Sequence, residues 1–112
     1  MRSVLAFLVL LGLGACAGDS ATEAAPTKAS VSVKDFNFGP KEIRVAAGGT
    51  VTWSNKDEFD HSVVVADLGI DGPKFGPQTM PASYSQKFTQ AGTYPYMCGV
   101  HNSMTGTVVV TT

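Results

Sequence analysis

From Ser30 onward the chain is written in short two-residue alternations, and nowhere does it keep the 3.6-residue apolar period of an amphipathic helix. Val31 and Val33 begin one alternating run, and Phe36 and Phe38 continue it in shifted parity, which places a bulge or bend near Lys34-Asp35. Gly39-Pro40 turns the chain into a run carrying Ile43 and Val45, and Gly48-Gly49 connects this to Val51 and Trp53. Ser62 to Ala66 reads as a buried strand. Asp67 to Pro81 is rich in glycine and proline and reads as loop or irregular edge. Tyr84, Gln86 and Phe88, then Tyr94, Tyr96 and Cys98, then Val108 and Val110 mark the remaining strands. About seven or eight such segments in residues 30–112 imply an all-β domain, a small Greek-key antiparallel β-sandwich. Trp53, Tyr84, Phe88, Tyr94 and Tyr96 supply its bulk.

Chemistry concentrates in one stretch, Tyr94-Pro95-Tyr96-Met97-Cys98-Gly99-Val100-His101-Asn102-Ser103-Met104-Thr105-Gly106. A thiol, an imidazole and a thioether follow one another at three-residue steps. Gly99, Asn102, Ser103 and Gly106 argue against a helix that would bury them as a stripe. Soft sulfur with imidazole and no carboxylate suits copper better than magnesium, calcium or manganese. Three donors from one loop leave a site open, and the one other histidine is His61, at the head of Ser62-Val63-Val64-Val65. Two imidazoles, a thiolate and a weak axial methionine form the donor set of a blue-copper electron-transfer centre.

The Cys-x-x-His-x-x-Met spacing after Tyr-x-Tyr, with a lone upstream histidine, resembles the cupredoxins, in particular the amicyanin and plastocyanin group. The resemblance spans roughly Val31 to Thr112 and includes the Ala91-Gly92-Thr93-Tyr94 lead-in and the Gly106-Thr107-Val108-Val109-Val110 exit. It implies the same sandwich, one copper ion, and the four ligand roles for His61, Cys98, His101 and Met104. It also implies an electron carrier rather than an enzyme, with His101 near the surface as the electron port and Gly39, Pro40, Gly99, Val100, Met80 and Pro81 as the candidate ring about it. Two departures stand out. Such proteins often carry asparagine after the first ligand histidine, where this chain has Ser62, and amicyanins place prolines around the second, where this chain has Val100 and Asn102. Both imply a looser ligand loop. Copper storage or delivery without electron exchange is the alternative reading, and a sandwich module with fortuitous ligands, or one holding zinc, is a third.

The N-terminus bears on where such a carrier works. Arg2 followed by the apolar run Val4 to Leu13 reads as an export signal, too short to remain as a membrane span. Leu13-Gly14-Ala15-Cys16 resembles a lipoprotein cleavage box, so residues 1–15 are expected to be the signal, with Cys16 lipidated; cleavage after Ala17 is the plain secreted alternative. Residues 16–29 are small and polar and read as a flexible tether. In an exported chain Cys98 then has no partner for a disulfide, which favours a thiol with a task such as metal ligation. The expected location is periplasmic or cell-surface, with the membrane reached only through the lipid anchor. The formal charge of −1 gives no signature of nucleic-acid binding. The expected partners are redox proteins such as cytochromes or a periplasmic oxidoreductase, met by a monomer. Asp57, Glu58 and Asp60 form the one acidic cluster, read as a solvated loop with a possible role in steering a basic partner.

Overall fold

The computed structural model describes residues 24–112. The export signal and most of the tether fall outside the described residues. Nine strands are present among those that are described: β1 (Lys28–Lys34), β2 (Asn37–Gly39), β3 (Glu42–Ala46), β4 (Gly49–Asn55), β5 (Val64–Val65), β6 (Ile70–Asp71), β7 (Ser83–Phe88), β8 (Gly92–Met97) and β9 (Thr105–Thr111). A single 3₁₀ turn, Ala66–Leu68, separates β5 from β6. The strands form two sheets, ordered β2-β1-β4-β7 and β3-β9-β8-β5-β6.

The expected sandwich is present, with mixed rather than wholly antiparallel sheets. β1 runs parallel to β4, and β3 runs parallel to β9. The cause lies in the connections. After the β1–β2 hairpin the chain crosses to the other sheet as β3 and then returns as β4 beside β1, so like-directed strands become neighbours. The first strand starts earlier than Ser30. β1 begins at Lys28, and the carbonyls of Pro26 and Thr27 accept hydrogen bonds from Ala46 and Thr50.

Two-residue periodicity explains the core. Along β1 the buried positions are Val31 and Val33; along β9 they include Val108 and Val110, and β4 contributes Val51 and Trp53. Trp53 is the centrepiece, edge-on to Tyr96 at 5.3 Å and tilted against Phe88 and Tyr84. Tyr96 in turn meets Phe38 at 4.8 Å. The Trp53 indole N–H and the Tyr96 hydroxyl are buried without hydrogen-bond partners among the described residues. Burial pushes the Tyr96 phenol up to about 12, an effect that the adjacent indole N–H offsets in part without reaching bonding geometry.

The parity shift near Lys34-Asp35 is a hairpin turn. Lys34 pairs with Asn37, so Asp35 and Phe36 are a two-residue loop, and both have positive φ (54° and 59°). This is the backbone pattern of a type I′ turn, normally occupied by asparagine, aspartate or glycine. A phenylalanine there is unusual. Asp67 to Pro81 is mostly irregular as expected, with β6 and the buried Phe75 the exceptions.

Candidate metal centre

His61 is set in place by the loop that leaves β4. Asn55 organises it: its side-chain N–H groups donate to the carbonyls of Phe59 and Phe75, both at 2.9 Å, and its side-chain oxygen accepts the Asp57 N–H at 2.8 Å. His61 and Phe75 then exchange backbone hydrogen bonds in both directions, at 3.1 and 2.8 Å. The imidazole is 0% exposed. Its Nε2 lies 2.8 Å from the Asp57 carboxylate, which takes the proton-bearing side of the ring. The lone pair is therefore on Nδ1, which faces Cys98 and His101.

Cys98 follows the end of β8 and is fully buried. Three backbone N–H groups, from Ser62, Val100 and His101, point at its sulfur at 3.4 Å each. That arrangement matches a sulfur carrying negative charge. The loop closes through the Cys98 N–H to the Met104 carbonyl at 3.0 Å and the Met104 N–H to the His101 carbonyl at 2.9 Å. Ser62 ties this loop to the first one, its hydroxyl accepting the Gly99 N–H at 2.9 Å. The two loops are close enough that a Cβ on Gly99 would stand 2.7 Å from the Ser62 oxygen and push the hydroxyl off its hydrogen bond. Ser62 thus joins the two loops through its own side chain, at the position where the substitution was expected to loosen them.

The two Nδ1 atoms of His61 and His101 are 3.2 Å apart, and His61 Nδ1 is 3.8 Å from Cys98 Sγ. All three donor atoms lie within 4.8 Å of one another. With the His61 proton held at Nε2, its Nδ1 lone pair and the sulfur converge on one dry spot with His101 Nδ1. A cation resolves that convergence, and soft donors without a carboxylate select copper. Met104 is buried at the loop's end, its backbone bonded to both Cys98 and His101.

Within the acidic cluster Glu58 is exposed, as a solvated loop residue would be, and Asp57 departs from that expectation. The Asp57 side chain is only 8% exposed, and besides His61 it accepts the backbone N–H groups of Asp35 and Phe36. Burial works against its charge, yet the hydrogen bonds from Phe36, the His61 ring and Asp35 outweigh burial and hold the carboxyl below its usual range. Asp60 accepts the Gln78 N–H at 3.0 Å and braces the facing loop. Phe36, absent from the expected ring of residues around His101, stands edge-on to both imidazoles, 5.5 Å from His61 and 5.0 Å from His101. Val100, Met80 and Met97 are exposed, Met97 on the outer face as its parity implies. The signals that could have shown Phe36 and Asp57 were a bulky residue in a two-residue turn and a carboxylate four positions before a ligand histidine.

A two-sheet sandwich with a histidine–cysteine–histidine cluster at one end defines a mononuclear copper protein of the cupredoxin class. The profile of the copper-binding plastocyanin/azurin family matches residues 25–111, and the chain belongs to that family. It is 34% identical to amicyanin-alpha of Methylorubrum extorquens over 96% of this chain and 92% of that protein. It is likewise 34% identical to amicyanin of Paracoccus denitrificans, covering 98% and 95%. Among solved structures, a reduced Cu(I) form of an amicyanin mutant superposes with a TM-score of 0.65 at 36% identity, covering 80% of this chain and 88% of that one. One copper ion is the cofactor, and electron transfer between redox proteins is the function.

Proposed function

We propose that copper would be held by His61, Cys98 and His101 as strong ligands, with Met104 as the weaker fourth. The observation that carries this reading is the His61 ring. Asp57 fixes its proton on Nε2, so a fully buried lone pair is left facing a thiol and a second imidazole. When bound, copper supplies the one-electron Cu(I)/Cu(II) couple. The chain's own residues do the rest. The three N–H groups on Cys98 Sγ hold the thiolate, the paired backbones of His61 and Phe75 stop the first ligand from moving, and Ser62 fixes the distance between the two loops. A site built this way changes little between oxidation states, which keeps the barrier to electron transfer low. His101, half-buried, is the route by which electrons enter and leave.

No bond of a substrate is made or broken in this scheme, so the protein acts as a carrier and not an enzyme. Its partners are redox proteins such as cytochromes or a periplasmic oxidoreductase. The export signal and lipobox-like Leu13-Gly14-Ala15-Cys16 support an exported monomer tethered through lipidated Cys16.

Adding Cu(II) to the purified domain tests the assignment. An intense blue colour that disappears in Cys98→Ser is the expected result, and a colourless wild type overturns it. Met104→Leu should keep the colour and shift the reduction potential. Copper should also raise the melting temperature by mass action. Rapid electron exchange with a cytochrome, followed by stopped flow, separates the carrier from a copper store.

A further inference from the structure

Phe36 is placed where its own backbone preferences oppose it. Both residues of the Asp35-Phe36 turn have positive φ, a region that favours glycine or asparagine and disfavours a bulky side chain. Residues kept in such conformations persist when their surroundings over-determine them, and they gather at functional sites. Here the surroundings are specific. One carboxylate, Asp57, receives the N–H of Asp35 on Oδ1, and on Oδ2 it receives the N–H of Phe36 at 3.0 Å together with the His61 Nε2 proton at 2.8 Å. The turn that carries the aromatic ring and the ring of the buried ligand thus share one oxygen.

The Phe36 ring then meets both imidazoles edge-on, with interplanar angles of 88° to His61 and 83° to His101. Phe59, itself exposed, stands 5.8 Å from it at a tilt. Phe36 is 43% exposed while His61 beneath it is 0% exposed. The ring therefore has solvent on one side and two metal-binding imidazoles on the other. Core packing does not account for it, since a packing residue would be covered.

We propose that Phe36 is a positioning residue, an aromatic lid clamped by Asp57 across His61 and His101, that slows loss of the metal by blocking the swing of His101 and the entry of water to His61. The inference rests on the copper site assigned above. Because His101 is the half-buried ligand, metal release begins when its imidazole rotates out, and a ring standing 5.0 Å from it obstructs that rotation. Asp57 makes the obstruction dependable by holding the turn in a conformation that phenylalanine alone would not choose.

Phe36→Asn and Phe36→Gly isolate the side chain, because both residues suit positive φ and preserve the turn. In the copper-loaded reduced protein, capture of copper by a chelator should quicken roughly fivefold to tenfold in either variant, as expected for losing two aromatic contacts. The visible spectrum of the oxidised form should be unchanged. An unchanged release rate in both variants overturns the lid. Asp57→Asn should also speed release, and the double variant Asp57→Asn/Phe36→Asn should fall short of the product of the single effects. A full product means that Asp57 acts on His61 alone, and it overturns the clamp. A metal-free readout keeps the lid distinct from the copper assignment. In the apo protein, acylation of His61 by diethyl pyrocarbonate should accelerate at least severalfold in Phe36→Asn. If the wild type takes up no copper, the assignment fails while this measurement still decides the lid, and equal acylation rates overturn it.

Discussion

The two imidazoles of the cluster are held in opposite ways. His61 is fully buried, its backbone is paired in both directions with Phe75, and its outer nitrogen is bound to Asp57. His101 is half-buried on a turn, and its outer nitrogen has no hydrogen-bond partner among the described residues. The first ligand belongs to the sandwich, and the second belongs to the loop. A redox centre built on one fixed and one accessible histidine can hold its geometry through the former and exchange electrons through the latter.

The sharpest way to break this contrast is to delete each ring. His61→Gly removes a buried ring, opens a cavity and takes one of three donors from the Asp57 carboxylate, so the apo domain should lose about 3 kcal/mol in urea unfolding. His101→Gly should cost about 1 kcal/mol or less. Added imidazole should restore blue colour to copper-loaded His101→Gly and fail to do so in His61→Gly at tenfold higher concentration, a difference of about 1.4 kcal/mol. Equal rescue of the two would end the asymmetry.

Asn55 tests where the rigidity of His61 comes from. Asn55→Ala leaves the Phe59 carbonyl and the Asp57 N–H without their partner and the Phe75 carbonyl with the His61 N–H alone, which should cost about 2 kcal/mol in the apo protein and lower copper affinity as the His61 loop loosens. Chemical denaturation with and without copper separates the two effects. An Asn55→Ala protein of wild-type stability would mean that the Phe75 bridge alone fixes the first ligand.

What the sequence made legible follows the range over which each feature acts. Cys98, His101 and Met104 announce themselves because rare donors sit at fixed local steps, and His61 stands out as the one remaining imidazole. Val31, Val33, Val51 and Trp53 fall on the buried face because strand parity is a local property. Phe36, Asp57 and Phe75 were not legible as site residues. Phe36 reaches the cluster through a turn its own residues do not favour, and Phe75 through a bridge to His61 across an irregular loop; Asp57 is near His61 in sequence, but only the folded loop turns its carboxylate toward the ring and toward the Phe36 N–H. The parallel pairings of β1 with β4 and β3 with β9 were hidden for the same reason, since alternation says which face is buried and nothing about which strand lies beside it.

Ser62 sharpens the comparison at the seam between the loops. Its hydroxyl is the one side-chain link from the His61 segment to Gly99 among the described hydrogen bonds. Ser62→Ala should cost about 1 kcal/mol and broaden the distribution of site geometries, read as a wider absorption band and a broader electron paramagnetic resonance signal. Ser62→Asn, which places its acceptor one atom further out, should recover less than Ser62→Thr, which keeps a hydroxyl where the Gly99 N–H meets it at 2.9 Å. A spectrum indifferent to Ser62→Ala would place the loop's order within the Cys98–Met104 turn itself.

The smallest effect is expected in acid, and it should appear on the His61 side alone. Asp57 is held below its ordinary value of 3.8 in the folded protein, because the N–H groups of Phe36 and Asp35 and the His61 ring outweigh the opposing cost of burial. A carboxyl lowered by folding stabilises the fold in full above its unfolded value, and this contribution drains away as pH falls through the lower, folded one. The apo domain should therefore lose stability progressively below about pH 4, and Asp57→Asn should flatten that part of the curve while leaving the region above pH 5 parallel to wild type. Over the same range the His61 ring should lose its fixed orientation in nuclear magnetic resonance spectra as its acceptor is protonated. His101, with no carboxylate among its hydrogen-bond partners, gives no such carboxylate-linked step, so an Asp57-dependent change at both rings would show that the lid over them transmits the loss from one imidazole to the other.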